Sequence, residues 1–392
     1  MFCGLGQKER KRLKSTVALV PCGSYEPEKV YQALREGLEL IGGIGKYIRK
    51  DEKVLLKLNL VREADADRAV TTHPAVAEML ARILSEEDYS DVSAGDSGGF
   101  GSSIKSMERL GMREELKKYG CRMAAFDEAV RTEYPEGIHA KEFMLARDVI
   151  EADAIVSVCK MKTHALEHIT GAVKNQYGCV QGKHKAAGHT RYPSAESMAR
   201  MIVDLNLLVR PRLYVMDGIV AMEGNGPTSG DPVPMKILLF STDPVALDSV
   251  FARLVYLDPE AVPTEVAGAQ MGLGTWKEEE IVLLTPDGAV SMEEAVQKYG
   301  RPDFRVIRKK GKAEGIMNTV TILRFLKPGP RIDADKCRKC GVCVESCPVE
   351  GKALTFSKGR NHPPVYNYRK CIRCFCCQEM CPHKAIYVRG RR

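Results

Sequence analysis

Cys337-Arg338-Lys339-Cys340-Gly341-Val342-Cys343-Val344-Glu345-Ser346-Cys347-Pro348 is followed by a second run on the same plan, Cys371-Ile372-Arg373-Cys374-Phe375-Cys376-Cys377-Gln378-Glu379-Met380-Cys381-Pro382. Each is C-x2-C-x2-C-x3-C-P, and together they supply eight thiolates at matched spacing. Four soft thiolates hold one 4Fe-4S cube, so the pair of runs predicts an electron-transfer module with two clusters. Zinc prefers separate C-x2-C pairs, and disulfides give no reason for a proline-terminated repeat.

The spacing is that of bacterial ferredoxins, in which the fourth cysteine of each run serves the other cluster. Cys337, Cys340, Cys343 and Cys381 are thus expected to hold one cluster, and Cys371, Cys374, Cys377 and Cys347 the other. Cys376 is left over beside Cys377, as a spare ligand or a buried neighbour. So small a segment has little apolar core and is expected to fold around its iron. Its spacer, 355–368, reads as a hairpin-like excursion around Gly359 and Pro363-Pro364.

Working outward, Lys327-Pro328-Gly329-Pro330-Arg331 interrupts both helix and central strand and marks a short linker at 327–331. The fold expected is an α/β large domain, 1–326, followed by a small α+β ferredoxin-like domain with two 4Fe-4S clusters, 332–392. Charge divides the same way. Arg331 to Arg392 holds 14 Lys or Arg against 5 Asp or Glu, while the chain as a whole is +8, so the basicity belongs to the cluster segment. Such charge offsets anionic clusters and suits an acidic redox partner of the flavodoxin or ferredoxin type. Nucleic acid is disfavoured, since no aromatic stacking platform accompanies the basic tail. Neither a membrane-length apolar run nor a signal peptide is legible, and 14 cysteines fit a reducing medium, so a cytoplasmic location is expected.

Upstream, short apolar runs alternate with amphipathic stretches. Strands are expected at 16–20, 54–58, 92–94, 154–159, 213–216 and 236–240, and helices at 30–40, 74–84, 104–119, 194–208 and 244–255. Thr72-His73-Pro74 and Thr242-Asp243-Pro244 read as helix starts, which leaves His73 and Asp243 either caps or functional groups.

Chemistry is densest after 154–159, in Lys160-Met161-Lys162-Thr163-His164, His168, Lys174-Asn175, Lys183-His184-Lys185 and His189. Lysines and an asparagine beyond a buried strand suit a carboxylate or phosphate, and a lysine or histidine there can move protons. A metal held by His164 and His168, on one helix face at i and i+4, is the competing reading. A second loaded loop is read from Asp217-Gly218 through Glu223 to Pro232, its acids available to pair with those lysines. Gly95-Asp96-Ser97-Gly98-Gly99 matches neither the P-loop nor the dinucleotide fingerprint, but a glycine turn ahead of a helix can offer N–H groups to an anion. No flavin or nicotinamide motif is present.

Lys57-Leu58-Asn59, Thr72-His73-Pro74, Gly95-Asp96-Ser97, Lys160 to His164, Thr170-Gly171-Ala172-Val173-Lys174-Asn175, Asp217-Gly218, Glu223-Gly224 and Asp243 to Asp248 together resemble the iron-sulfur-associated family built on domain of unknown function 362, over 53–274. The resemblance implies a cytoplasmic, anaerobic redox protein and supplies no substrate. An oxidoreductase reading follows by inference. Lys57, Asn59, Asp96, Ser97 and Asn175 are the candidate cofactor-binding residues; Lys162 and Lys174 hold an anionic small molecule, His164 supplies protons, and Asp217 and Glu223 orient these groups. Whether a flavin or a non-iron metal joins the clusters is left open. The rival from another class is a non-catalytic electron carrier or scaffold that docks a partner protein.

Overall fold

A computed structural model describes residues 14–99, 101–308 and 328–388. Twelve strands of the large domain are β1 (Ser15–Pro21), β2 (Val54–Lys57), β3 (Val92–Gly95), β4 (Arg122–Met123), β5 (Ala129–Glu133), β6 (Glu142–Ala146), β7 (Ala154–His164), β8 (His168–Thr170), β9 (Leu213–Glu223), β10 (Asp231–Ser241), β11 (Ile281–Thr285) and β12 (Gly288–Val290). Ten of them form one mixed sheet in the order β12-β11-β1-β10-β9-β7-β2-β3-β4, with β8 folded back on β7; β5 and β6 pair separately. From β9 to β4 the neighbours run parallel, whereas β10 is antiparallel to both β9 and β1.

Alternation along the strands explains why helices cover both faces. Val54 and Leu56 point into one apolar cluster with Val30, Leu34, Val76 and Leu80, while Leu55 points into another with Ile155, Ile202 and Leu205. A sheet buried on both faces reads as nearly continuous apolar sequence, and β7 is buried at all eleven positions. Helix starts follow the capping chemistry expected of them. His73 accepts the Ala75 N–H ahead of Pro74, and Asp243 accepts from Val245 and Ala246, both at 2.9 Å.

Three expectations are corrected. The 104–119 helix is two, Ser103–Arg109 and Met112–Lys118, because Gly111 breaks it at φ 72°. The strand expected at 154–159 continues to His164, and the one expected at 213–216 continues to Glu223, so Lys160 to His164 and Asp217 to Glu223 lie on strands, while Lys174, Asn175 and Lys183 to His189 lie on helices. His164 and His168 do not share a helix face; they are opposed partners across the β7–β8 hairpin. Among the described residues no three His, Cys, Asp or Glu side chains converge on a mononuclear metal position.

The C-terminal segment carries β13 (Pro330–Ile332), β14 (Leu354–Thr355), β15 (Val365–Tyr366) and β16 (Ile386–Val388), with one-turn helices at Val342–Glu345 and Cys376–Glu379. β13 pairs with β16, and the 355–368 excursion is a hairpin closed by β14 and β15. Pro330 and Arg331, read as linker, thus begin an edge strand, where proline is tolerated; Lys327 lies outside the described residues. Together the two parts are a large mixed α/β domain and a C-terminal cluster-type domain.

Candidate functional site

Parallel strands β2, β3, β7 and β9 end on one edge of the sheet, the place where open α/β sheets bind ligands. Lys57 ends β2 wholly buried, 2.8 Å from Asp96 just beyond β3, and it also donates to the Asn175 and Leu58 carbonyls. Asp96 Oδ2 accepts the Leu60 N–H at 2.6 Å, tying the two strand ends together. Gly178 lies against this pair so closely that a methyl there would collide with the Asp96 carboxylate and the Lys57 ammonium.

Period-two alternation puts Lys160, Lys162 and His164 on the same face of β7. Lys160 is buried against Asp217 at 2.7 Å, and Tyr25 bridges the two: its hydroxyl donates to Asp217 and accepts from Lys160. Lys162 is equally buried but has only neutral acceptors, Asn59 Oδ1 and the Val70 carbonyl, both at 2.7 Å. Burial, then the Lys174 and Lys160 charges, push Lys162 well below the usual lysine range. Because Lys162 can only donate, it turns the Asn59 oxygen toward itself, and the Asn59 amide then donates to Asn175 Oδ1 at 3.0 Å.

His164 Nδ1 accepts the Leu166 and Glu167 N–H groups, so Nε2 carries the proton and faces Glu379 Oε1 at 2.9 Å. Burial, reinforced by Lys174, brings His164 down to about 3 and keeps it neutral. Burial alone would raise Glu379, but His164 and Lys174 outweigh it and hold the carboxylate low. Glu167 is fully buried with neither carboxyl oxygen hydrogen-bonded, and burial pushes it well above the usual carboxylate range.

Glu379 comes from the cluster domain, which docks on the loop after β9. The Gln378 amide donates to the Asn225 and Gly226 carbonyls, Asn225 donates to Ile386 at 2.9 Å, and Lys384 donates to Gly230 at 3.0 Å. Ala165, Phe375 and Val388 add an apolar contact. The stretch 224–230 is therefore a landing platform; of the acids expected to pair with the lysines, Asp217 does so, with Lys160, and Glu223 does not.

Between the domains lies a cavity of about 710 Å³. Lys162, Lys174, Asn59, Asn175, Asp96 and Ser97 line its α/β side, and Cys347, Cys376, Glu379 and Met380 line the cluster side. Lys185 and His189, from the helix Gly182–Arg191, close a third wall. The Lys174 ammonium makes no hydrogen bond to another described residue and lies 6.0 Å from the Tyr177 ring centroid, and His189 Nδ1 is buried and unpaired. Lys185 holds the Ser97 and Gly98 carbonyls, and burial brings it down to about 8. The glycine turn does not offer its amides as expected: Ser97 N–H goes to Gly178 and Gly99 N–H to Val61.

Two expected participants lie elsewhere. Asp217 is beneath the edge with Lys160 and Tyr25, where it also accepts the His73 N–H. Glu223 pairs with Arg305 at 2.7 Å, because β9 runs on beside β10 as far as Glu223 opposite Asp231 and carries that carboxylate away. Glu379 was not anticipated, nor was Tyr177, which also lines the cavity; Lys185 and His189 stood in the dense sequence window without an assigned role. Alternation in Lys160-Met161-Lys162-Thr163-His164 was the signal that these side chains share a strand face.

Cys337, Cys340, Cys343 and Cys381 line one small cavity of the C-terminal domain, and Cys347, Cys371, Cys374 and Cys377 line another. The fourth cysteine of each run thus stands with the first three of the other. Thiolates gathered in fours suit iron-sulfur clusters, and donors already face them: Ala353 N–H to Cys347, Ala385 N–H to Cys381, both 3.3 Å, and the Tyr366 hydroxyl 3.2 Å from Cys377.

An α/β edge site joined to a thiol-lined domain defines an iron-sulfur protein of the electron-transfer type. Residues 54–253 match the model described as domain of unknown function (DUF362), residues 329–382 match a 4Fe-4S dicluster domain, and the chain belongs to the DUF362 family. A thylakoid-associated protein of Synechocystis is 34% identical over 265 residues, 66% of this chain and 80% of its own length. Among solved structures, the lactate racemase apoprotein of Thermoanaerobacterium thermosaccharolyticum aligns at TM-score 0.41 and 11% identity, covering 59% of this chain and 55% of that one. A Thermotoga maritima protein aligns at 0.36 and 14%, covering 63% and 59%. No helix among the described residues is long and apolar enough to cross a membrane.

Proposed function

We propose that the chain is an oxidoreductase that passes single electrons from two 4Fe-4S clusters to an anionic small molecule or cofactor held in the interdomain cavity. One observation carries this reading: the same cavity is walled by Lys162 and Lys174 on one side and by the cluster ligand Cys347 on the other. A bound molecule would lie beside the second thiol set, within the domain contact.

Lys174, whose ammonium makes no hydrogen bond to another described residue, is the group that receives the anion, and Lys162, set by Asn59 and Val70, stands ready as a second donor. His164 does not line the cavity and is neutral, so it serves to hold the Glu379 carboxylate, which does, and Lys185 on the third wall, brought down to about 8 by burial, is the group able to give up a proton to the ligand. The clusters, held by their eight cysteines, supply the electrons.

Anaerobic purification followed by iron and sulfide analysis, with mass spectrometry of molecules released on denaturation, tests the proposal. About eight irons per chain and a retained anion that reoxidises the reduced clusters are expected. Lys162→Met and Lys174→Met should keep the cluster spectrum and lose that reoxidation. Unchanged reoxidation in both variants would sink the cavity assignment and leave an electron carrier.

A further inference from the structure

The two thiol sets differ in where they face. In the second set, Cys347, Cys371, Cys374 and Cys377 are each no more than 8% exposed, and Cys347 borders the interdomain cavity. In the first set Cys340 is exposed and Cys337 half-buried, and none of its four cysteines borders that cavity. Electron transfer between protein groups falls off steeply with separation, so a docked carrier must approach the set whose sulfur reaches the surface.

Cations outnumber acids around that sulfur. Arg338 and Lys339 flank Cys340 and are exposed, and both border the cavity of the first set. The hairpin brings two more cations: Gly341 sits against Phe356, with 3.8 Å between the ring and a methyl built on the glycine, and the Arg360 guanidinium is 5.4 Å from that ring. Lys358 is exposed on the same hairpin. Nearby acids offset little of this, since Asp333 is engaged by Lys336 at 3.4 Å and Asp335 is left alone.

We propose that this face, Cys340 ringed by Arg338, Lys339, Lys358 and Arg360, is the docking site for an acidic one-electron carrier protein, and that electrons run from it through the first cluster and the second to the cavity. The inference rests on the reading of the chain as a cluster-bearing electron-transfer protein and gives it a direction. In the docking step one electron leaves the carrier and one 4Fe-4S group becomes one-electron reduced; no bond forms or breaks in this chain. Complementary charge acts on the encounter rate, and salt weakens it.

Flavodoxin hydroquinone, an acidic donor, is mixed with the full, cluster-loaded chain in an anaerobic stopped-flow experiment at rising ionic strength. Arg360→Glu, which lies away from the cysteines, and the double variant Arg338→Glu/Lys339→Glu should each lower the second-order rate by roughly tenfold at low salt and flatten its salt dependence. Arg369→Glu, the same charge change beside the second cysteine run, should alter the rate by less than about twofold. Photoreduction by deazaflavin, which needs no protein docking, reports whether each variant still holds reducible clusters. An equal loss in Arg369→Glu, or no loss in Arg360→Glu, overturns the assignment of this face. Reoxidation by a cavity ligand is read separately, so a failure of the cavity reading leaves the docking result standing.

Discussion

The α/β domain and the cluster domain bury reactive groups by different means. At the sheet edge, Lys57 and Lys160 are wholly buried, each beside its own carboxylate, and Tyr25, Asn59 and Asn175 take up the remaining donors and acceptors. Around them three large apolar clusters fix the backbone. In the cluster domain the largest apolar cluster contains six buried residues, three of them cysteines. One domain carries its polar site on a core that exists without it. The other has the site in place of a core.

Iron removal should divide the molecule most sharply. Anaerobic chelation is expected to abolish hydrogen-exchange protection across 330–388 while the sheet of the large domain keeps its own; persistent protection of both would show that the small domain has a sufficient core. The converse experiment attacks the sheet edge. Asp217→Ala leaves Lys160 buried without its partner and should cost about 3–5 kcal/mol in urea unfolding of the α/β domain, with the iron count unchanged. Gly178→Ala drives a methyl into the Lys57–Asp96 pair, for an expected loss of roughly 1–3 kcal/mol and a weaker hold on any cavity anion.

Acidity offers a finer test. Lys185 keeps its charge below about 8 and loses it as pH rises through that value. Affinity for a retained anion, measured by calorimetry, should therefore be highest on the acid side and fall on the alkaline side, by up to roughly tenfold per pH unit. Lys185→Met should flatten the profile. The smallest effect belongs to Glu223→Gln, since its partner Arg305 is half exposed; stability should change by less than about 1 kcal/mol, with no change in anion binding.

The two sets of four cysteines were legible because thiolate ligation imposes spacing on neighbours in sequence. The sheet-edge residues were legible as a group, since Lys57, Asn59, Asp96, Lys162 and Asn175 do meet, but their division of labour was not. Whether Asp217 serves a cavity or a hidden lysine depends on which strand lies beside it, and β9 lies beside β7 through a register shift after Lys160. Glu223 was misplaced for the same kind of reason: strand pairing, invisible in local composition, carried it past the site. Glu379 had no local signal at all. It stands among cluster ligands, and its meaning comes from His164, on the other domain.

Gln378 and Glu379 stand between Cys377 and Cys381, so the residues that grip the large domain are spelled into the same short stretch as two of the thiols. If iron removal unfolds the small domain as expected, a chain without its iron would lack the ordered stretch that presents them, and with it one wall of the chamber. Under the proposed function, maturation and ligand capture would then be a single checkpoint, since copies without iron would offer a bound anion an incomplete chamber.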